Sequence, residues 1–303
     1  MLIIIIFVIN IYRKILIKMN NIDKIKSLPI WTGNIEISPL EGGITNFNYL
    51  VKDSVKESVV RMGSDIPEHL VYRSNEILVS KAAYDIGVSP ELVYNEPGIL
   101  VLDFIKSTTL EPITVRKNLD RIIPIVKKIH NLIPSKLSGQ PTIFWVFYVI
   151  KYYSNFLLKH KSSHSSLISD LLSKSSKLEE LSSPREIVFG HNDLLAANFL
   201  DDGSKIWVVD WEYGGFNDPL FDIGGLSSNN DFDLDMENLA LEMYFDKKLS
   251  KELLIRYNAM KTASLLRETM WSMVSEITSK INFNYEDYTS ENLSKFRNSF
   301  ENL

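Results

Sequence analysis

Between Val188 and Tyr213 the chain reads VFGHNDLLAANFLDDGSKIWVVDWEY, and this stretch restricts the possible folds more than any other. Its apolar spacing gives a strand over Ile187 to Phe189, a polar turn, a short strand over Asn198 to Leu200, a hairpin at Asp202-Gly203 and a third strand over Ile206 to Val209. Asp193 follows the first strand, Asn198 comes five residues later, and Asp210 stands where the apolar run Trp207-Val208-Val209 ends. Three oxygen-bearing side chains are thereby expected at the mouth of one small sheet. Carboxylate and amide oxygens suit a hard cation such as Mg²⁺, which binds beside substrate phosphates and water, so Asn198 and Asp210 form a candidate clamp for a nucleotide-bound metal. Asp193 is then left to orient an attacking hydroxyl and take its proton. An isolated Asp near a strand more often caps a turn; the ordered set is what favours chemistry.

An Asp, an Asn five residues on, a strand and a second Asp is the order of the protein-kinase catalytic segment. Here His191-Asn192-Asp193 stands for His-Arg-Asp, and Asp210-Trp211-Glu212 for Asp-Phe-Gly. The chain therefore resembles the small-molecule kinases of the aminoglycoside phosphotransferase and choline kinase group. HNDLLAANFL followed by DWEYGGFNDPLFDIGGLS is most similar to the bacterial choline kinases. The resemblance implies an α+β, protein-kinase-like two-lobe fold, with a small antiparallel-sheet N-lobe and a larger, mainly helical C-lobe. It implies ATP and Mg²⁺ as cofactors, catalytic roles for Asp193, Asn198 and Asp210, and structural support from His191 and from Asp222 behind the catalytic loop.

Composition narrows the alternatives. A chain of 303 residues, 45% hydrophobic, buries a full core and suits one large or two modest domains. With 33 basic and 38 acidic residues, a formal charge of −5, it has no overall basic footprint for nucleic acid. It has no cysteine, which removes disulfides, thiolate metal sites and a cysteine nucleophile, and is compatible with the expected cytoplasmic location. Residues 1–18 are an apolar extension whose first nine residues precede Asn10, with Arg13 and Lys14 following. That run is shorter than the roughly 20 residues of a membrane span, and it lacks the charge order of a signal peptide. Two readings stand: a membrane-associating segment, or an upstream-extended start with Met19 as the beginning. The second is preferred, because the recognisable pattern starts only after Ile30.

Residues 19–105 read as the nucleotide-binding lobe. Strand Ile35 to Leu40, a Gly-rich turn, strand Phe47 to Val51, a polar turn and Val59-Val60-Arg61 follow in order. Glycines let backbone approach a phosphate and leave N–H groups free for it; GG-x-T-N resembles the loop of choline and thiamine kinases, which assigns Gly42, Gly43, Thr45 and Asn46 to the phosphates. Arg61 stands where a kinase carries its strand cation, and a helix over Glu68 to Ile86, closed by Gly87, offers Glu76 as its partner. Two further strands, Leu92 to Tyr94 and Ile99 to Ile105, lead to the point where a kinase-like chain changes lobe. By resemblance, backbone groups from Asp103 to Ile105 would bind adenine.

Residues 106–303 read as the catalytic lobe. Helices are expected over Asn118 to Leu132, with Pro124 in the first turn, over Phe144 to Leu158, through Leu181, and over Lys251 to Ile277. The last has its apolar stripe at Leu254, Tyr257, Met260, Ala263, Met270, Val274 and Ile277. A quaternary ammonium donates no hydrogen bond and is held by aromatic faces and carboxylates. Glu212, Tyr213 and Trp271 are the acceptor-site candidates, Trp271 by resemblance to the choline kinase C-terminal helix. The family usually carries a second Trp there, where this chain has Met270 and Met273.

The expected reaction is ATP-dependent phosphorylation of a small alcohol, choline first, giving phosphocholine and ADP. The alternatives are a kinase acting on ethanolamine, thiamine or an aminoglycoside, and a catalytically silent nucleotide-binding protein with a kinase fold.

Overall fold

Alternation builds the first sheet. In the computed structural model, which describes residues 19–40, 46–281 and 283–303, the strands β1 (Glu36–Leu40), β2 (Phe47–Lys52) and β3 (Glu57–Met62) pair antiparallel in sequence order. β3 turns Ser58, Val60 and Met62 inward and leaves Glu57, Val59 and Arg61 half-buried, the period of two that a one-sided sheet requires. The β2–β3 turn is tied by Asp53, whose carboxylate accepts from the N–H groups of Val55 (2.7 Å) and Lys56 (2.8 Å). After α1 (Arg73–Asp85), β4 (Leu92–Glu96) and β5 (Ile99–Asp103) complete the sheet in the order β1-β2-β3-β5-β4. Its core is small: Ile25, Leu28, Tyr49, Val51, Val60, Met62, Ile99 and Val101.

The contacts divide the chain into two compact units. One takes the described residues up to Ser64 and then Glu91–Phe104; the other takes Asp65–Pro90 and Ile105–Leu303. The helix α1, expected with the sheet, clusters with the helical unit instead. Asn75 on α1 donates to the Gly214 carbonyl (2.8 Å) and accepts from the Thr142 N–H (3.0 Å). A Cβ on Gly214 would meet Val79 at 2.9 Å, so this helix needs glycine there. The helix also starts later than its apolar pattern suggested, because Pro67–His69 forms a single 3-10 turn closed by Leu70 at φ 59°.

The second unit runs β6 (Thr108–Thr109), α2 (Pro112–Lys117), α3 (Leu119–Leu132), β7 (Thr142–Ile143), α4 (Val146–Lys159), α5 (Ile168–Leu181), β8 (Val188–Gly190), β9 (Phe199–Asp201), β10 (Ile206–Val208), β11 (Gly215–Asn217), α6 (Pro219–Asn229), α7 (Leu234–Phe245), α8 (Lys251–Thr278) and α9 (Tyr285–Glu301). Pro124 lies inside α3, not in its first turn. α8 is the centre of this unit: 17 of its 28 residues are buried, and α4, α5, α6 and α9 pack against it. The sequence reading missed α9, and the reason is visible: only Tyr285, Thr289, Asn292 and Phe296 are buried along it, half of them polar. None of the described helices is long and apolar enough to cross a membrane.

One expectation is corrected. The three strands around Asp193 do not form a single sheet: β8 pairs with β11, which also pairs with β7, whereas β9 lies between β10 and β6 and pairs with both. A backbone bond from the Val209 N–H to the Asn198 carbonyl (3.0 Å) extends the β9–β10 pairing to the site.

Candidate active site

The loop after β8 is held from behind by a buried carboxylate. Asp222, in the first turn of α6, accepts from the backbone N–H groups of His191 (2.7 Å) and Asn192 (2.7 Å) and from His130 Nε2 (3.0 Å). Burial alone would raise its pKa, but the hydrogen bond and charge of His130 and the donors of His191 hold it below the ordinary carboxylate range. Asn192 adopts φ 65° and its side chain donates to the carbonyls of Tyr213 (3.0 Å) and Gly215 (3.1 Å). Gly190 is required here, since a Cβ would meet Asn192 Oδ1 at 2.9 Å and Asp222 Oδ2 at 3.1 Å. His191 donates through Nε2 to the Val209 carbonyl (3.0 Å) and lies against Trp211 (4.7 Å). Burial lowers its basicity, so the ring is neutral.

These bonds bring the predicted chemistry together. Asn198 ends a 3-10 turn and donates Nδ2 to the Asp193 carbonyl (2.9 Å), while its own carbonyl receives Val209, the residue before Asp210. With Nδ2 engaged, the amide oxygen is the atom left to Asn198 for a ligand. Asp210 takes φ 68°, a left-handed conformation tolerated by Asp more than by most residues, and redirects the chain out of β10. An amide oxygen and a carboxylate in adjoining positions fit Mg²⁺ held jointly with phosphate oxygens. Burial, with Glu268, Asp210 and Glu212 adding to it and Arg267 opposing it, pushes the Asp193 carboxyl up to about 8.

Two arginines absent from the sequence reading organise the surroundings. Arg73 on α1 reaches Glu76 (2.5 Å) and Glu212 (3.0 Å), tying α1 to the Asp210–Tyr213 turn. Arg267 on α8 is 4% exposed; its Nη1 lies 2.8 Å from Glu268 and 3.8 Å from Asp193, and its guanidinium covers the Tyr213 ring at 4.4 Å. Arg267 sits four residues after Ala263 and three before Met270, the vacant position of the apolar stripe; a charge on a buried face was the available signal. Trp271 donates Nε1 to the Tyr213 hydroxyl (3.0 Å), and its ring lies against His69 (5.1 Å) and Tyr285 (6.1 Å).

The remaining candidates lie as follows. Arg61 is on β3 of the sheet unit and Glu76 on α1 of the helical unit. Asn46 is buried just before β2; Gly42, Gly43 and Thr45 lie outside the described residues. The N–H groups of Asp103 and Phe104 are used by the carbonyls of Glu91 (2.9 Å) and Glu57 (3.2 Å), and the Ile105 carbonyl accepts from the Ser107 hydroxyl (3.0 Å).

Fold and site together define a phosphotransferase of the protein-kinase-like class that acts on small molecules. Residues 37–240 match the choline/ethanolamine kinase family, and the chain belongs to that family, phosphotransferases with ATP as donor and an alcohol group as acceptor. A LicA protein of Haemophilus influenzae is 26% identical over 263 residues, covering 83% of this chain and 76% of the relative. A probable ethanolamine kinase of Arabidopsis thaliana is 29% identical over 290 residues, covering 83% and 76%. Among solved structures, a choline/ethanolamine kinase family protein of Mesorhizobium loti superposes with a TM-score of 0.77 at 24% identity over 94% of this chain and 95% of that one, a likeness of fold.

Proposed function

We propose that this chain is a cytoplasmic kinase that transfers the γ-phosphoryl group of ATP to the hydroxyl of a small amino alcohol, choline or ethanolamine, leaving ADP and the phosphomonoester, phosphocholine where choline is the acceptor. The observation that carries the reading is the Asp222-anchored loop, which presents Asp193 with the Asn198 side chain on its carbonyl and Asp210 one residue beyond the Asn198–Val209 bond.

Asp193 orients the hydroxyl and receives its proton as the oxygen bonds to phosphorus and the bond to the ADP oxygen breaks. Asn198 and Asp210 would hold Mg²⁺, which supplies charge neutralisation for the transferring group. Arg61 and the loop from Gly42 to Asn46 are assigned to the phosphates, and the backbone near Ile105 to the adenine. Alignment and electrostatics carry the rate, since phosphoryl transfer asks little covalent chemistry of the protein.

Choline as acceptor would need the rings of Tyr213 and Trp271 as faces for its ammonium, with Glu212 nearby. Asp193→Asn is the test of the reaction: turnover should be lost while nucleotide binding persists, and near-normal turnover refutes the role. Assay against choline, ethanolamine, thiamine and an aminoglycoside separates the acceptors, and ATP binding without transfer to any of them would favour a silent binding protein.

A further inference from the structure

We propose that Arg267 sets which ammonium the acceptor site takes: by covering the Tyr213 ring, and with the adjacent Glu268 as hydrogen-bond acceptor, it favours a primary amine over a quaternary one. This rests on the kinase reading above and deepens it.

A trimethylammonium group is recognised by open aromatic faces, and the two candidate rings, Tyr213 and Trp271, do not offer them. Tyr213 is 4% exposed and carries the Arg267 guanidinium over its face at 4.4 Å; the edge of Phe144 meets it at 5.8 Å. Trp271, 5% exposed, lies between His69 and Tyr285 and spends its N–H on the Tyr213 hydroxyl. The cation–π position on Tyr213 is thus filled by a cation of the protein itself, and a second positive charge there would meet the first.

A merely structural role does not account for this arginine. Its Nε and Nη2 have no hydrogen-bond partner among the described residues, so a buried charge is held by Glu268 and Asp193 through Nη1 while two donors go unused. Burying a charge in that state is costly where a Leu or Met would fill the stripe.

Glu268 supplies the alternative recognition. Its side chain is 17% exposed, and its oxygens receive one protein donor each, Arg267 at 2.8 Å and the Tyr288 hydroxyl at 2.8 Å. A carboxylate oxygen accepts two, so capacity remains for an N–H donor. Glu268 and Asp193 lie near the same Nη1, at 2.8 and 3.8 Å, so an acceptor with two carbons between oxygen and nitrogen can address both. A primary ammonium has three N–H bonds to give; choline has none.

The test is an N-methylation series with ATP: ethanolamine, its N-methyl and N,N-dimethyl derivatives, and choline, on the full-length protein and on Arg267→Met and Glu268→Gln. For the unaltered protein, kcat/KM should fall with each methyl and be at least about tenfold lower for choline than for ethanolamine, the order expected when a buried acceptor loses its donor. Arg267→Met should narrow that ratio about tenfold, and Glu268→Gln should lower kcat/KM for ethanolamine while sparing choline. If Arg267→Met does not fold, the series on the unaltered protein and on Glu268→Gln still decides. Equal or better use of choline by the unaltered protein, or ratios unmoved by both substitutions, overturns the proposal and leaves the kinase reading standing. Turnover of none of the four acceptors overturns the kinase reading and this one with it.

Discussion

Replacing Asp222 by Asn tests the anchoring of the catalytic loop with a change of one atom. The two carboxylate oxygens divide three donors: Oδ2 receives the His191 N–H (2.7 Å) and His130 Nε2 (3.0 Å), and Oδ1 receives the Asn192 N–H (2.7 Å). An amide with its oxygen in the Oδ2 position keeps two of these and turns an NH₂ group against the Asn192 N–H; the opposite orientation loses two. Either way at least one short bond to a charged acceptor, about 1.5–3 kcal/mol, is replaced by a clash of donors in a site where Asp222 is 2% exposed. We expect a stability loss of about 2–4 kcal/mol, read as a lower denaturation midpoint at unchanged slope. Asp193 follows Asn192 directly, so a displaced loop misplaces the proposed base, and kcat should fall by about 10²-fold, the size of effect a shift near 1 Å produces. A variant within about 0.5 kcal/mol of the parent that retains half of kcat would refute the anchoring argument, because surface substitutions behave that way and buried carboxylate hubs do not.

Asp193→Asn removes the proposed proton acceptor and should lower kcat by about 10²–10⁴-fold with ATP binding retained by calorimetry. Arg73→Met leaves the buried Glu76 and Glu212 without their shared guanidinium, and should cost about 3–5 kcal/mol by denaturant titration; a loss below about 1 kcal/mol would contradict the tie between α1 and the turn. His69 is held neutral, its pKa lowered to about 3 by burial first and by the charge of Arg267 second. Between that value and the unfolded value of about 6.5 the unfolded chain binds more protons, so the group costs nothing above about pH 6.5 and withdraws stability as pH falls from there toward 3, by up to about 5 kcal/mol. His69→Gln should flatten that acid limb in denaturation measured across pH; an unchanged slope would refute the assignment.

Which parts of this molecule could be read in the sequence follows from how local their physics is. Asp193, Asn198 and Asp210 were legible because loop chemistry and chain order locate them, and the strands beside them are in place within one residue. Their partition into two sheets was not, since β6 and β7 are two-residue strands too short to leave a periodic trace. The long helix was legible from its stripe, yet counting only apolar residues hid Arg267, a buried charge 3.8 Å from Asp193. Arg73 was hidden differently: its partner Glu212 is 139 residues away, and nothing along α1 announces the pairing. Hydrophobic periodicity therefore recovered the frame, while the charges that surround Asp193 and cover Tyr213 are properties of contacts made only after folding. Arg267 stands in the register of the α8 stripe, where Tyr257, Met260, Ala263, Met270 and Val274 are buried, so a charged residue in such a register is itself a pointer to the site.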